Sequence, residues 1–187
     1  MYHDDLGKFA SKGNNQSKKE IKPYIPHYGR KPNPNYNEDP TKIRELIKDI
    51  KPEKVDSSQV PVFKNHTDLE NWVRALIKDQ REVKILSDGE EILISNNNIQ
   101  RATRKQYLDE NETTAVYFKI KNTLERAKYY DFEPKDEKHK DKRIQGQYVY
   151  FSKLIIGEEP YLIRFKIDVP MDADVPLLYA GHRIKKL

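Results

Sequence analysis

Two histidines and a few basic side chains are the groups in this sequence with chemistry to offer. His139 stands in the charged run Lys135-Asp136-Glu137-Lys138-His139-Lys140, just ahead of a β-rich stretch, and His182 follows Tyr179-Ala180-Gly181 near the C-terminal end. Imidazole suits proton transfer because its unperturbed pKa of about 6.5 lies near working pH. Arg104 and Lys105, with Arg101 beside them, and Lys166 are of the type that holds phosphate, arginine having the advantage of bidentate contact. Tyr150 and Ser152 alternate onto one face of a strand, and Lys166 can come from its hairpin partner, so a Tyr, Ser and Lys cluster on a sheet can orient a phosphate. Each group also has a plainer reading. His139 fits an exposed residue in a solvated loop, His182 a satisfied polar residue of a last strand, and Arg104 and Lys105 an ordinary basic helix face. The Tyr, Ser and Lys set fits the solvent side of a half-exposed sheet. His3, His27 and His66 carry no expectation, two lying in an N-terminal arm and the third before a helix cap.

Other chemistries are excluded by what is missing. The chain has no cysteine, which removes disulfides, thiolate metal sites and cysteine nucleophiles. Its five histidines show no H-x-x-x-H or H-E-x-x-H spacing, and there is no G-x-x-x-x-G-K-[ST], G-x-G-x-x-G or G-x-S-x-G motif. With seven glycines, phosphate-cradling loops are not expected, nor is a metal or any cofactor. No apolar run approaches the roughly 18–20 residues that span a bilayer. Met1 to Asp5 lack the basic-then-apolar pattern of a signal peptide. The expected location is therefore the cytoplasm or a virion, with no membrane partner.

These groups must be positioned by a chain that is only 36% hydrophobic and 35% charged, so its core must be compact. A formal charge of +5 and a pI near 9.1 lean towards a polyanionic partner such as RNA, DNA or a capsid interior. Residues 1–38 read as a flexible basic arm, with seven basic residues against four acidic ones and Tyr24, Tyr28 and Tyr36 interleaved. Residues 39–187 read as a single α+β domain. Asp39-Pro40 is an N-cap with proline at the first helical position, followed by Ile43, Leu46, Ile47 and Ile50 at helical spacing. Thr67 and Glu70 suit a capping box ahead of the stripe Leu69, Trp72, Val73, Leu76 and Ile77, with Trp72 in the core. Val83–Leu86 and Ile92–Ile94 flank an Asp-Gly turn, as in a hairpin. Asn96 to Asn98 can cap a helix through Tyr107, a longer helix is expected over 112–130, and 131–146 reads as a charged loop. Strands over 147–156, 161–169 and from Leu177 to Ile184 complete a C-terminal β-meander. The expectation is of N-terminal helices packed on an antiparallel sheet.

Two resemblances add to this reading. Asp4-Asp5-Leu6-Gly7-Lys8-Phe9-Ala10-Ser11-Lys12 resembles the D-x-x-G-[RK]-F-x-x-K segment of phage head-morphogenesis and minor capsid proteins. Residues 62–187 are similar to a family of large polyvalent protein-associated domains of phages and mobile elements. The similarity runs through Trp72, Val83-Lys84-Ile85, Ile92-Leu93-Ile94-Ser95, Arg101, Arg104-Lys105, Ala127-Lys128-Tyr129, His139, Val149-Tyr150-Phe151, Gly157, Tyr161, Phe165-Lys166 and Tyr179-Ala180-Gly181-His182. That family is thought to relate to the metal-independent ribonucleases of the barnase–EndoU–colicin–RelE superfamily, common as toxin tips. The resemblance implies RNA cleavage by attack of the 2′-hydroxyl on the adjacent phosphate. His139 and His182 would move protons, Tyr150 and Ser152 would assist, and Arg104, Lys105 and Lys166 would neutralise the phosphate. RNA is the implied partner, with an immunity protein or a phage capsid or portal component as further ones. The alternative is a non-enzymatic virion protein that binds nucleic acid or capsid through the basic arm.

Overall fold

A computed structural model describes residues 29–104, 111–137 and 142–187. Asp39 caps the first helix, α1 (Pro40–Ile47), accepting hydrogen bonds from the backbone N–H groups of Thr41 and Lys42, and Pro40 occupies N1, where a missing N–H costs nothing. Strand β1 (Glu53–Val55) and a single 3-10 turn at Ser57–Gln59 lead to α2 (His66–Leu76). The cap of α2 is Asn65, accepting from Asp68 N–H, rather than the expected Thr67 and Glu70 box. Asparagine two residues earlier caps as well as threonine, so α2 starts two residues sooner. The stripe itself holds: Leu69, Val73 and Ile77 are fully buried, and half-buried Trp72 packs between Phe63 and Phe118.

Strands β2 (Glu82–Lys84) and β3 (Glu91–Leu93) pair as the expected hairpin, with Gly89 at φ 78° in the connection. A capping box between Ser95 and Asn98 starts α3 (Asn96–Thr103). The long helix expected over 112–130 is instead two short ones, α4 (Asn111–Phe118) and α5 (Ile120–Glu125), broken at Lys119, whose φ of −126° is not helical. The β-branched Thr113, Thr114 and Val116 weaken helix propagation there. Downstream, Lys128 to Pro134 form β4, because aromatic Tyr129, Tyr130 and Phe132 gain more by packing on a sheet than by continuing a helix. The charged loop is thereby shortened, and part of it is strand.

Strands β5 (Ile144–Ile156), β6 (Glu159–Pro170) and β7 (Leu177–Lys186) form the expected antiparallel meander. The fold class is α+β, but the sheet is mixed: β1 runs parallel to β5 and β3 parallel to β7, giving the order β1-β5-β6-β7-β3-β2. Strand β4 lies beside β5 on the same edge as β1. The sheet curls until its ends approach. Leu86 N–H donates to the Glu125 carbonyl (2.7 Å) and Ser87 Oγ to the Ala127 carbonyl (2.7 Å), tying the β2–β3 connection to the chain entering β4.

Period-two alternation divides β5 and β6 into two faces. Tyr148, Tyr150, Leu154, Ile163, Phe165 and Ile167 point inward to the main core with α2 to α5. Val149 and Phe151 point outward, where Ile43, Ile47 and Ile50 cover them. Each such fully buried aliphatic or aromatic side chain contributes about 1.5–3 kcal/mol. Helix α1 packs against β4 and β5, and α3 packs against β7 and sends Arg101 to Asp168 of β6.

Residues 29–38, read from sequence as the end of the arm, lie against this sheet. Asn33 N–H donates to the Phe132 carbonyl (2.8 Å), Tyr36 packs edge-on to Tyr130, and Asp39 N–H donates to Tyr130 Oη (2.9 Å). Residues 1–28 lie outside the described residues.

Candidate active site on the outward sheet face

The outward face of the meander gathers charged side chains where β4, β5 and β6 run side by side. Register places Glu133 opposite Gln147, Gln147 opposite Asp168, and Val149 opposite Lys166. Lys166 Nζ lies 2.5 Å from Glu133 Oε2, and Arg164 Nη2 lies 3.3 Å from the same oxygen. Arg164 also meets Glu38 (2.5 Å) and donates to Tyr36 Oη (3.2 Å), whose own hydroxyl donates to Glu38 (2.8 Å). Burial raises the Tyr36 phenol well above its usual range, so it stays protonated. Two residues along β6, Asp168 accepts from Arg101 Nη2 (2.6 Å) and Gln147 Nε2 (2.6 Å). Arg183, opposite Arg164, and Lys185, opposite Leu162, extend this face with exposed cations. A shallow pocket of ≈ 310 Å³ opens beside them, lined by Glu38, Phe151, Leu162, Arg164, Arg183 and Lys185.

The side chains singled out in the sequence are divided by the fold. Lys166 and Arg101 belong to the outward face. Tyr150 and Ser152 do alternate onto one face, but it is the inward one, so neither shares a surface with Lys166. Ser152 is fully buried, and its Oγ has no hydrogen-bond partner among the described residues. Tyr150 Oη donates to Asp88 Oδ2 (2.8 Å) and accepts from Arg30 Nη1 (3.1 Å). Arg104 is exposed at the C-cap of α3. Lys105 and His139 lie outside the described residues.

His182 also faces inward. Its Nε2–H donates to the Thr113 carbonyl (2.9 Å), which fixes the neutral tautomer, and Tyr179 Oη donates to Nδ1. Tyr117 stands edge-on to the ring (5.0 Å, 76°). Burial lowers the imidazole pKa to about 4, the Thr113 carbonyl opposing the shift only in part. Both ring nitrogens are engaged, and the ring takes no proton near neutrality. This makes His182 a pH-sensitive strut. Its folded pKa lies below the unfolded value near 6.5, so the unfolded chain protonates first. The stability it contributes is present above pH 6.5 and is lost as pH falls towards 4, by about 3 kcal/mol over that window. Urea midpoints measured across it should fall steeply for the natural chain and more gently for His182→Phe. Parallel profiles would contradict the assignment.

Sequence reasoning missed Glu133, Arg164, Gln147 and Asp168. The alternation Arg164-Phe165-Lys166-Ile167-Asp168 was a usable signal, since it puts three charged residues on one face. Glu133 gave none, because a β-bulge between Tyr129 and Asp131 shifts the register of β4 and hides its alternation.

A family model described as Large polyvalent protein-associated domain 3 matches residues 64–172, more than half of the chain. The match includes Glu133, Gln147, Arg164, Lys166 and Asp168 and ends before β7. No curated protein and no solved structure matches the chain.

Proposed function

The chain belongs to the Large polyvalent protein-associated domain 3 family, and on that premise we propose that it is a phage-associated domain that cleaves RNA without a metal, on its outward sheet face. One observation carries the reading: a carboxylate, Glu133, is held between two cations, Lys166 and Arg164, on the outward sheet face. Those are the parts that 2′-hydroxyl attack on a phosphodiester requires. Both ion pairs use Glu133 Oε2, so Oε1 is the oxygen that takes the 2′-hydroxyl proton. As the O2′–P bond forms, Lys166 and Arg164 neutralise the phosphoryl oxygens, and the P–O5′ bond breaks. The leaving 5′-oxygen takes a proton from His139, which stands in the sequence between Glu133 of β4 and Gln147 of β5. The exposed Arg183 and Lys185 extend the cationic track for the strand. His182, Tyr150 and Ser152 have no role in this chemistry.

Incubation of the purified chain with total tRNA and rRNA in EDTA, beside His139→Ala, tests the proposal. Cleavage by the natural chain is expected, reduced about 100-fold or more in the variant by loss of the acid. Intact RNA in both overturns the ribonuclease reading. The alternative would then be favoured, a non-enzymatic virion protein that binds nucleic acid or capsid through its basic arm.

A further inference from the structure

Opposite in character to the outward face is a closed cage formed where the curled sheet brings its ends together. Tyr129 of β4 and Tyr148 and Tyr150 of β5 supply its aromatic walls, and Asp88 and Glu90 of the β2–β3 connection its acidic end. A guanidinium fills it. Arg30 Cζ lies 3.7 Å from the centre of the Tyr129 ring and 5.3 Å from that of Tyr148. Nη2 donates to Asp88 Oδ2 at 2.8 Å, while Nη1 donates to Tyr150 Oη at 3.1 Å and lies 3.5 Å from Glu90 Oε1. The Asp88 and Glu90 side chains are only 6% and 7% exposed, and Arg30 12%.

The geometry suits a planar guanidinium and not a point charge. One flat face stacks on Tyr129 while two nitrogens on separate arms reach a carboxylate and a phenol, which a lysine ammonium cannot do together. Two carboxylates buried this deeply require a cation, since an uncompensated buried charge is strongly destabilising. The cage and its occupant also differ in origin. Asp88, Glu90, Tyr129, Tyr148 and Tyr150 all fall within residues 64–172, the segment that matches the family, whereas Arg30 falls outside it. The demand for a cation is built into the domain, and the cation comes from a flanking segment.

We propose that this cage is a guanidinium-binding site of the domain, that Arg30 is its tethered occupant, and that a free arginine side chain takes the site when Arg30 is removed. The site is independent of the RNA-cleaving face, and neither proposal requires the other.

The test uses the full chain and N-acetyl-arginine amide, with N-acetyl-lysine amide at equal ionic strength as control. Arg30→Ala is expected to melt below the natural chain and to regain about 5 °C at saturating arginine amide, with less than half that gain from lysine amide. The natural chain, its site filled, should not respond, and Arg30→Ala with Asp88→Asn should lose the response. Equal gains from the two amides, or no gain, overturn the proposal. Should Arg30→Ala fail to fold, Arg30→Lys decides the matter. It keeps the charge but not the fork, and is expected to melt below the natural chain. Melting level with it would show that the site does not read a guanidinium.

Discussion

Glu133→Gln is expected to lower the rate of RNA cleavage by about 10²–10⁴-fold, the usual contribution of a positioned general base. Glutamine keeps the shape of the side chain and cannot take a proton. The fold should tolerate the change. The Glu133 and Lys166 side chains are partly exposed, and Arg164 keeps its pairing with Glu38. RNA affinity should be unchanged or slightly higher, since a negative charge leaves a cationic face. Single-turnover cleavage measured beside RNA binding separates these terms. A lost rate with retained binding marks Glu133 as acting on the reaction, whereas equal losses in both would make it a structural member of the ion cluster.

Gly146→Ala is expected to destabilise the chain by about 3 kcal/mol, near the upper end of the usual range for overpacking, and to lower its melting midpoint by about 10 °C. A Cβ at this position would lie 2.4 Å from the Glu133 carbonyl oxygen, 2.9 Å from Phe132 Cε2 and 3.2 Å from Lys135 N. Two of those atoms are backbone and cannot rotate away. Gly146 pairs with Pro134 where β4 ends against β5, so relief of the clash moves Glu133 itself. Cleavage should therefore fall along with stability. A chain that melts within 2 °C or so of the natural one would show that β4 yields at little cost, contrary to the close packing seen there.

How far the sequence revealed this molecule depended on the kind of signal. Local devices were legible: Asp39-Pro40 at the start of α1, the Leu69, Val73 and Ile77 stripe, the Asp-Gly connection between β2 and β3, and the meander of β5, β6 and β7. Pairings made at a distance were not. Strand β1 has three residues and exists because the free edge of β5 accepts it, and β3 joins β7 only at Ile92–Leu93. Strand β4 was hidden by its charges, although Tyr129, Tyr130 and Phe132 were present to argue for it. For the site, the types of residue were read better than their placement. Lys166 and Arg101 do reach the outward face, but alternation alone does not say which side of a strand is buried. Here the helices cover the side bearing Tyr150 and Ser152. His182 was chosen for its titration range, and burial on that same side removes the property. Arg30 shows the converse. Glycine, proline and lysine around it read as a loose arm, while its guanidinium is held by partners scattered over positions 88 to 150.

The most direct test of metal-independent RNA cleavage on the outward face is the chemistry of the product ends. A defined RNA cleaved by the purified chain in EDTA should carry 2′,3′-cyclic phosphate and 5′-hydroxyl ends, and a strand with 2′-deoxy sugars throughout should remain whole. A 3′-hydroxyl with a 5′-phosphate, or cutting of the deoxy strand, would contradict the account, because neither outcome can come from a 2′-hydroxyl activated by Glu133.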